Sequence, residues 1–152
     1  MLPDQAPTLV LIEDDPGHAR LIERNLHRAH FPYTIVVLRD GQAALDYFFP
    51  GQEAGSARLL PPCLVLLDLN LPGCPGMEVL AHLKRDPRTR HIPVIVLTTT
   101  DEQHEVEQCY ALGCNAYLTK PVVYDQFVTV IQDLARLFTA IAIPKGPAEG
   151  DL

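Results

Sequence analysis

Short apolar runs alternate along the chain with segments of helical period. The runs are continuous rather than alternating with polar residues, which is typical of strands covered on both faces of a sheet. They lie at residues 9–12, 34–38, 64–67, 94–97 and 116–119. A helical segment follows each run, and this order is the signature of parallel βαβ units. The pattern predicts one doubly wound five-stranded parallel α/β sheet with helices on both faces.

The helical segments carry apolar stripes and terminal signals. Pro16 suits the first turn of the first helix, where its missing N–H is not needed. Thr100 and Gln103 form a candidate capping box for the fourth helix, which Gly113 is predicted to end. The clearest stripe belongs to the last helix: Phe127, Ile131, Leu134, Phe138 and Ile141.

The pattern also predicts the domain boundaries. We expect a flexible N-terminus at 1–7, a single domain with a C-terminal helix extension at 8–143, and a flexible Gly/Pro-rich tail at 144–152. Residues 50–62 have no period and are predicted to form a long loop. Because the chain ends soon after the fifth helix, we expect no separate output domain.

Composition and charge narrow the classes of partner. The chain has 152 residues, a formal net charge of −7 and a pI of about 5.2. An acidic chain lacks the basic footprint that binds nucleic-acid phosphates, so no nucleic-acid partner is expected. No apolar run approaches the length of a membrane span, and the start lacks a signal-peptide pattern. We expect a cytoplasmic protein without a membrane partner.

Cysteine and histidine give no metal motif. The four cysteines contain no C-x-x-C pair, so structural thiols are the favoured reading. The six histidines are scattered, and none is paired with a cysteine or a second histidine at a ligand spacing. Only His18 is predicted to lie near the acidic positions described next, as a solvated residue of the first helical turn.

Charged residues follow three of the predicted strands. Glu13 and Asp14 follow the first strand, Asp68 follows the third, and Lys120 follows the fifth and precedes Pro121. The carboxyl ends of parallel strands open on a common crevice, so these side chains are expected to meet. Two unit charges about 4 Å apart repel by roughly 4 kcal/mol near a protein surface, so a cation should accompany the acids. Oxygen ligands favour Mg²⁺ over Zn²⁺.

A wider set of residues carries a family resemblance. The set is Glu13-Asp14, Asp68, Asn70, Leu71-Pro72, Gly76, Thr98, Tyr117 and Lys120-Pro121. In order and register, it resembles the receiver domain of bacterial response regulators over roughly residues 8 to 138. Residues 67–72, 91–94 and 97–99, with the 50–62 loop, are similar to stand-alone regulators that partner bacterial and cyanobacterial phytochrome kinases.

The resemblance implies a fold and a function. The sheet is expected to be flavodoxin-like, with strand order 2-1-3-4-5. Asp68 is expected to accept a phosphoryl group from a sensor histidine kinase, with a bacteriophytochrome as the candidate donor. The chain is then a signalling phosphoacceptor rather than an enzyme, although it assists its own Mg²⁺-dependent phosphorylation and dephosphorylation.

The resemblance also implies residue roles. The implied Mg²⁺ ligands are Asp14, Asp68 and the Asn70 carbonyl, with Glu13 holding a coordinated water. Lys120, Thr98 and Thr99 are the implied phosphate-binding residues, and Thr98 and Tyr117 the implied switch. The Lys120–Pro121 peptide bond is implied to be cis.

Simpler readings and other classes remain beside this one. Asp14 or Asp15 alone is as easily a helix cap, and Lys120 alone a solvated lysine. A magnesium-dependent aspartyl phosphatase would need an acid two positions after Asp68, where Asn70 stands. A nucleotide-binding module lacks its Gly-rich loop after the first strand, and a receiver that never takes phosphate would need a broken pocket. Pro75 departs from the family pattern and stiffens the loop before Gly76.

The end of the chain has more apolar residues than one sheet can cover. Val123, Val130 and Leu137 lie off the stripe of the last helix, and residues 140–143 prolong the apolar character. Surplus apolar surface commonly marks an interface. We therefore expect a homodimer that pairs through the last strand and helix.

Overall fold

The computed structural model describes residues 7–51, 63–144 and 146. Most of the predicted 50–62 loop, the first six residues and nearly all of the predicted tail lie outside these residues. Five strands alternate with five helices, as the sequence predicts. The strands are β1 (Thr8–Ile12), β2 (Thr34–Leu38), β3 (Cys63–Leu67), β4 (Val94–Thr98) and β5 (Ala116–Thr119). The helices are α1 (Pro16–Arg28), α2 (Gly41–Phe48), α3 (Gly76–Arg85), α4 (Gln103–Leu112) and α5 (Tyr124–Ala140).

All strand pairs are parallel, and the order is β2-β1-β3-β4-β5, which confirms the expected fold. The central β1 pairs with both β2 and β3, and Ile12 is in register with Leu38 and Leu67. The ladder continues past the strand ends, since the Asp68 N–H donates to the Ile12 carbonyl at 3.0 Å. This bond fixes the acid after β3 beside the acids after β1.

Successive residues of each strand point to opposite faces of the sheet and pack into two separate hydrophobic cores. Val10 and Ile12 belong to the core beneath α2, α3 and α4, whereas Leu9 and Leu11 belong to the core beneath α1 and α5. The strands of the sheet centre are buried throughout. This explains why their sequences read as unbroken apolar runs.

The helix ends test the predicted caps. Pro16 opens α1 and Asp15 caps it, accepting hydrogen bonds from the N–H groups of Gly17 and His18. Gly113 ends α4 with φ of 109°, as predicted. The capping box proposed for α4 is wrong: its N-cap residue is Glu102, with no side-chain cap bond. The helix begins at Gln103 itself, so that residue lies too early to serve as the third position of a box.

Helices α4 and α5, which flank the edge strand β5 in the chain, differ in how many of their side chains are buried. In α5 the predicted stripe is confirmed, because Phe127, Ile131, Leu134 and Phe138 are buried, while Ile141 lies just past the helix end. In α4 the only buried side chain is that of Cys109. No helix of the described chain has the length and apolar character needed to cross a bilayer.

Candidate functional site

The predicted acids and lysine meet at the carboxyl edge of the sheet. Lys120 Nζ lies 2.5 Å from Glu13 Oε1 and 2.7 Å from Asp68 Oδ2. All three side chains are buried. The Lys120 N–H donates to the Thr98 carbonyl, which extends the β4–β5 ladder and brings the lysine over the ends of the central strands. Three residues distant in sequence thus form one buried ionic cluster.

The second oxygen of Asp68 is also occupied. Oδ1 accepts hydrogen bonds from the Asn70 N–H at 3.0 Å and from the Thr98 hydroxyl at 2.9 Å. The Asn70 amide then reaches the Thr99 hydroxyl at 3.0 Å. Asp68 is therefore held by a cation on one oxygen and by two neutral donors on the other.

Gly76 lets the loop after β3 fold tightly beneath Asp68. A Cβ atom at this position would lie 2.3 Å from the Asp68 carbonyl oxygen and 2.6 Å from Leu69 Cα. The Gly76 N–H donates to the Leu69 carbonyl, so the start of α3 and the phosphoacceptor candidate are joined through backbone. Any larger residue at 76 would displace Asp68. Pro75 is the N-cap residue of α3 and provides no side-chain bond.

The two buried carboxyls differ in acidity. Burial raises the pKa of Glu13 to about 7, and the hydrogen bond and charge of Lys120 offset this only in part. Burial also acts to raise the pKa of Asp68, but Lys120, the Asn70 N–H and the Thr98 hydroxyl together hold that pKa below its ordinary value. Asp68 is therefore the carboxyl kept ionised, and an ionised carboxylate is the form that can act as a nucleophile.

The other acids occupy the mouth of the crevice. Asp14 is exposed, and Asp15 is the α1 cap, which confirms the simpler reading of that residue. Glu13 Oε2 accepts the Asp15 N–H at 3.1 Å. The acid pair thus divides into a buried Glu13 that faces Lys120 and an Asp14 that faces solvent.

The donor set suits a hard divalent cation. Its members, Asp14, Asp68, the Asn70 carbonyl and Glu13, all offer oxygen. In the part of the chain that is described, no three His, Cys, Asp or Glu side chains are gathered as a closed metal cluster. The predicted set needs only two direct carboxylates, with Glu13 acting through water. The chemistry of this donor set fits Mg²⁺. In this structure the Lys120 ammonium offsets the charge repulsion between Glu13 and Asp68.

Thr98, Thr99 and Tyr117 are the residues implied for phosphate binding and for the switch. Thr98 is fully buried against Asp68, and Thr99 is exposed at the mouth. The Tyr117 hydroxyl donates to the Thr100 carbonyl at 2.7 Å, and its ring packs on the core beneath α4. The implied switch residues therefore lie on one path from the acid cluster to α4.

The expected cis bond between Lys120 and Pro121 is wrong for this structure, because no described peptide bond is cis. The trans form is the ordinary one for an X–Pro bond, by about 0.5–1 kcal/mol. With a trans bond, Lys120 already reaches both Glu13 and Asp68.

The prediction that His18 lies near the acids is confirmed, whereas its interpretation as a solvated residue is wrong. Its Nδ1 lies 3.0 Å from Lys120 Nζ, and its ring packs on Phe127 with centroids 5.5 Å apart. The side chain is 34% exposed, so it is not simply solvated. Its position in the first turn after the acid pair predicted that it lies near the site, but not that it contacts Lys120.

A comparison with known protein families identifies the family of this chain. The response regulator receiver domain model matches residues 9–132. The chain belongs to the response regulator receiver domain family. The match covers β1 to most of α5, including every residue of the ionic cluster.

Individual relatives agree with the family. Rcp1 of Synechocystis is 41% identical over 113 residues, covering 74% of this chain and 75% of that protein. The structure of its Mn²⁺-bound form is similar with a TM-score of 0.82 at 33% identity, covering 90% of this chain and 98% of that one.

Two further solved structures are similar over nearly the whole receiver domain. A receiver domain from Rhodospirillum rubrum has a TM-score of 0.86 at 44% identity, covering 93% of this chain and 99% of that one. The phosphorylated cyanobacterial phytochrome response regulator RcpA has a TM-score of 0.81 at 34% identity. The similarity covers 92% of this chain and 99% of that one. This receiver domain therefore has close relatives in phytochrome signalling.

Proposed function

We propose that this chain accepts a phosphoryl group on Asp68 from a phosphohistidine of a sensor histidine kinase, with a phytochrome-type kinase as the donor. The observation that carries the proposal is the environment of Asp68. It is a buried carboxylate with a lowered pKa, paired to Lys120 and hydrogen-bonded to Thr98. Close similarity to a phytochrome response regulator supports the choice of donor.

The transfer asks little covalent chemistry of the protein. An Asp68 oxygen attacks phosphorus, the bond between phosphorus and the histidine nitrogen breaks, and the imidazole leaves with the electron pair. Charge on the transferred group is then neutralised by groups already in place. In this proposal the Lys120 ammonium pairs with one oxygen of the phosphoryl group. The hydroxyls of Thr98 and Thr99 donate hydrogen bonds to its other oxygens.

The proposal includes a divalent metal. Mg²⁺, held by Asp14, Asp68 and the Asn70 carbonyl with Glu13 acting through water, would supply further charge neutralisation when bound. Attack by water on the same phosphorus returns free Asp68 and phosphate, which gives the signal a limited lifetime. The residues that promote phosphorylation are thus also those that promote its reversal.

The proposed switch rests on two hydrogen bonds, one made by the Thr98 hydroxyl and one made by the Tyr117 hydroxyl. The Thr98 hydroxyl now donates to Asp68 Oδ1, and we propose that it turns to an oxygen of the phosphoryl group once Asp68 is phosphorylated. Movement of Thr98 alters the end of β4, next to the Thr100 carbonyl that holds the Tyr117 hydroxyl. We propose that phosphorylation is read out through this contact as a change in the surface formed by α4, β5 and α5.

A homodimer through the last strand and helix is part of the same proposal. β5 is an edge strand, and several apolar side chains of this region are exposed. They are Val122, Val123, Tyr124 and Leu137. Covering such side chains in a symmetric pair would remove apolar surface from water. The four free cysteines fit a reducing compartment, so the proposal places the chain in the cytoplasm.

The proposal is tested by treating the protein with a phosphodonor and measuring its intact mass by mass spectrometry. Wild type treated with a small phosphodonor and Mg²⁺ should gain one phosphoryl group that is lost in mild base, as an acyl phosphate is. Asp68→Asn should gain none. Asp40→Asn is the matched control, because Asp40 also follows a strand at this sheet edge but only caps α2. Equal uptake by Asp68→Asn and wild type would refute the assignment.

The donor is tested separately with autophosphorylated kinases. Wild type should take the phosphoryl group faster from phytochrome-type kinases than from unrelated sensor kinases. A kinetic preference for an unrelated kinase would contradict the choice of donor while leaving Asp68 as the acceptor.

A further inference from the structure

The Lys120 ammonium is hydrogen-bonded to three different residues. An ammonium group has three N–H donors and no acceptor. Its neighbours within hydrogen-bond distance are Glu13 Oε1 at 2.5 Å, Asp68 Oδ2 at 2.7 Å and His18 Nδ1 at 3.0 Å. The number of acceptors thus equals the number of donors, and His18 supplies the only one of the three that is not a carboxyl oxygen.

The geometry defines the form of the imidazole. Nδ1 can accept from an ammonium only when it carries no proton, so we assign His18 the tautomer with its proton on Nε2. Asp15 Oδ2 lies 3.9 Å from the same nitrogen, beyond hydrogen-bond range. Nδ1 therefore has Lys120 as its hydrogen-bond partner.

The three acceptors differ in whether they change hydrogen-bond partner when Asp68 is phosphorylated. In the proposed function, Asp68 becomes an acyl phosphate and Glu13 holds a metal-bound water, so both carboxylates change partner. His18 has neither task. It belongs to α1, and its ring packs on Phe127 of α5. It can keep its contact with Lys120 while the other two contacts are exchanged.

The surroundings of His18 separate this role from core packing. The imidazole lines an open cavity of about 380 Å³ together with Leu21, Tyr124 and Phe127, and Lys120 lines the same cavity. A side chain that borders a cavity and is one-third exposed contributes little to a close-packed core. Its bond to Lys120 is the interaction that a substitution would affect most.

We propose that His18 is a positioning residue for Lys120: its neutral Nδ1 holds the ammonium at the phosphoacceptor while a carboxylate oxygen is exchanged for a phosphoryl oxygen. The proposal rests on the proposed function of Asp68. It assigns a role to a histidine in the first turn of α1 that neither binds metal nor receives phosphate.

Two substitutions separate the acceptor from the ring. His18→Leu removes the acceptor, whereas His18→Asn places an amide oxygen the same number of bonds from the backbone as Nδ1. His104→Leu is the control, because His104 also lies in the first turn of a helix and is exposed. The first readout is the Lys120 ammonium resonance in proton–nitrogen spectra without phosphodonor, assigned by its absence in Lys120→Ala.

We expect a protected ammonium resonance in wild type, His18→Asn and His104→Leu, and its loss through fast exchange in His18→Leu. The second readout is the rate of phosphorylation by a small phosphodonor at fixed Mg²⁺. It should fall about two- to tenfold in His18→Leu, as the loss of one hydrogen bond implies, and recover in His18→Asn.

Two outcomes would overturn the proposal. One is a His18→Leu variant with the wild-type ammonium resonance and phosphorylation rate. The other is a His18→Asn variant as impaired as His18→Leu, which would show that the ring rather than the acceptor matters. Failure of wild type to take up phosphate would instead refute the proposed function. The ammonium comparison, made without phosphodonor, would then still decide the His18 contact.

Discussion

Thr98 and Asp68 are joined by a hydrogen bond of 2.9 Å from the threonine hydroxyl to Oδ1 of the aspartate, although 30 residues separate them. They lie at the ends of neighbouring strands, β4 and β3. Thr98 is fully buried, so its hydroxyl is held in this contact away from solvent. The bond directly connects the proposed phosphoacceptor with the proposed switch.

Thr98→Ala should weaken the switch more than the chemistry. Loss of the hydroxyl removes one of several groups that lower the pKa of Asp68, so phosphoryl uptake should slow only severalfold. The response of amide shifts around Tyr117 to beryllofluoride should be reduced, and Thr98→Ser should restore it. A full response in Thr98→Ala would contradict the role of the hydroxyl.

Lys120→Ala should still accept phosphate, slowly, but fail to change the α4–β5–α5 surface. Removing the ammonium also leaves Glu13 and Asp68 without their shared buried cation, and breaking a buried ion pair costs roughly 3–5 kcal/mol. Thermal melts with and without Mg²⁺ should therefore show a large loss of stability that the metal partly recovers. Beryllofluoride shifts around Tyr117 give the second readout. A wild-type response there would refute the coupling role of the lysine.

Asp14→Asn should weaken Mg²⁺ binding without changing the metal-free protein much. Asp14 is exposed, and substitutions at such positions usually change stability by less than about 0.5 kcal/mol. Metal at a hundredfold excess over its dissociation constant stabilises by about 2.7 kcal/mol, so a lost Mg²⁺ shift is readily seen in thermal melts. Asp15→Asn keeps a capping side chain and should retain the shift. An unchanged shift in Asp14→Asn would mean that the residue does not bind the metal.

The cysteines should differ sharply in reactivity. Burial raises the pKa of Cys63 to about 12 and that of Cys109 to about 11, whereas Cys74 is only partly buried. At pH 8, alkylation followed by peptide mass analysis should modify Cys74 first. Because the pKa of Cys63 is raised by folding, its stabilising contribution is complete below pH 9 and is lost as the pH rises towards 12. Cys63→Ala should lose less stability over that range than wild type, and equal losses would contradict the raised pKa.

The dimer is best tested by single substitutions. Truncation after Arg136 would remove Phe138, which is fully buried and whose carbonyl accepts the Tyr33 hydroxyl, so the fold itself would suffer. Leu137→Glu, at a half-exposed site on α5, should dissociate the dimer in sedimentation, with and without beryllofluoride. Gln126→Glu adds the same charge at an exposed site on the same helix and should not. A wild-type monomer in every state at micromolar concentration would refute the dimer.

The sequence predicted the strands well because both faces of the sheet are covered. Residues such as Val10 and Leu11 are equally buried on opposite sides, so the apolar runs are unbroken. The meeting of Glu13, Asp68 and Lys120 was predictable for a related reason, since the chain order of parallel units fixes which strand ends are neighbours.

What the sequence missed depends on side-chain direction and exact helix starts. The contact of His18 with Lys120 requires knowing that the first turn of α1 faces the end of β5, which no local pattern records. The α4 capping box failed because a shift of two residues in the helix start changes the role of Gln103. The first and last turns of a helix fray, so a sequence pattern defines a helix start only to within one or two residues.

The weak anchoring of α4 has a consequence for how such a regulator can diversify. With Cys109 as its single buried side chain, the helix contributes little to the core, so most of its surface can change without unfolding the protein. The buried ionic cluster of Glu13, Asp68 and Lys120 has no such freedom, because each member contacts another. Recognition of new downstream partners can therefore be acquired on α4 by successive surface substitutions, while the chemistry at the other side of Tyr117 is inherited unchanged.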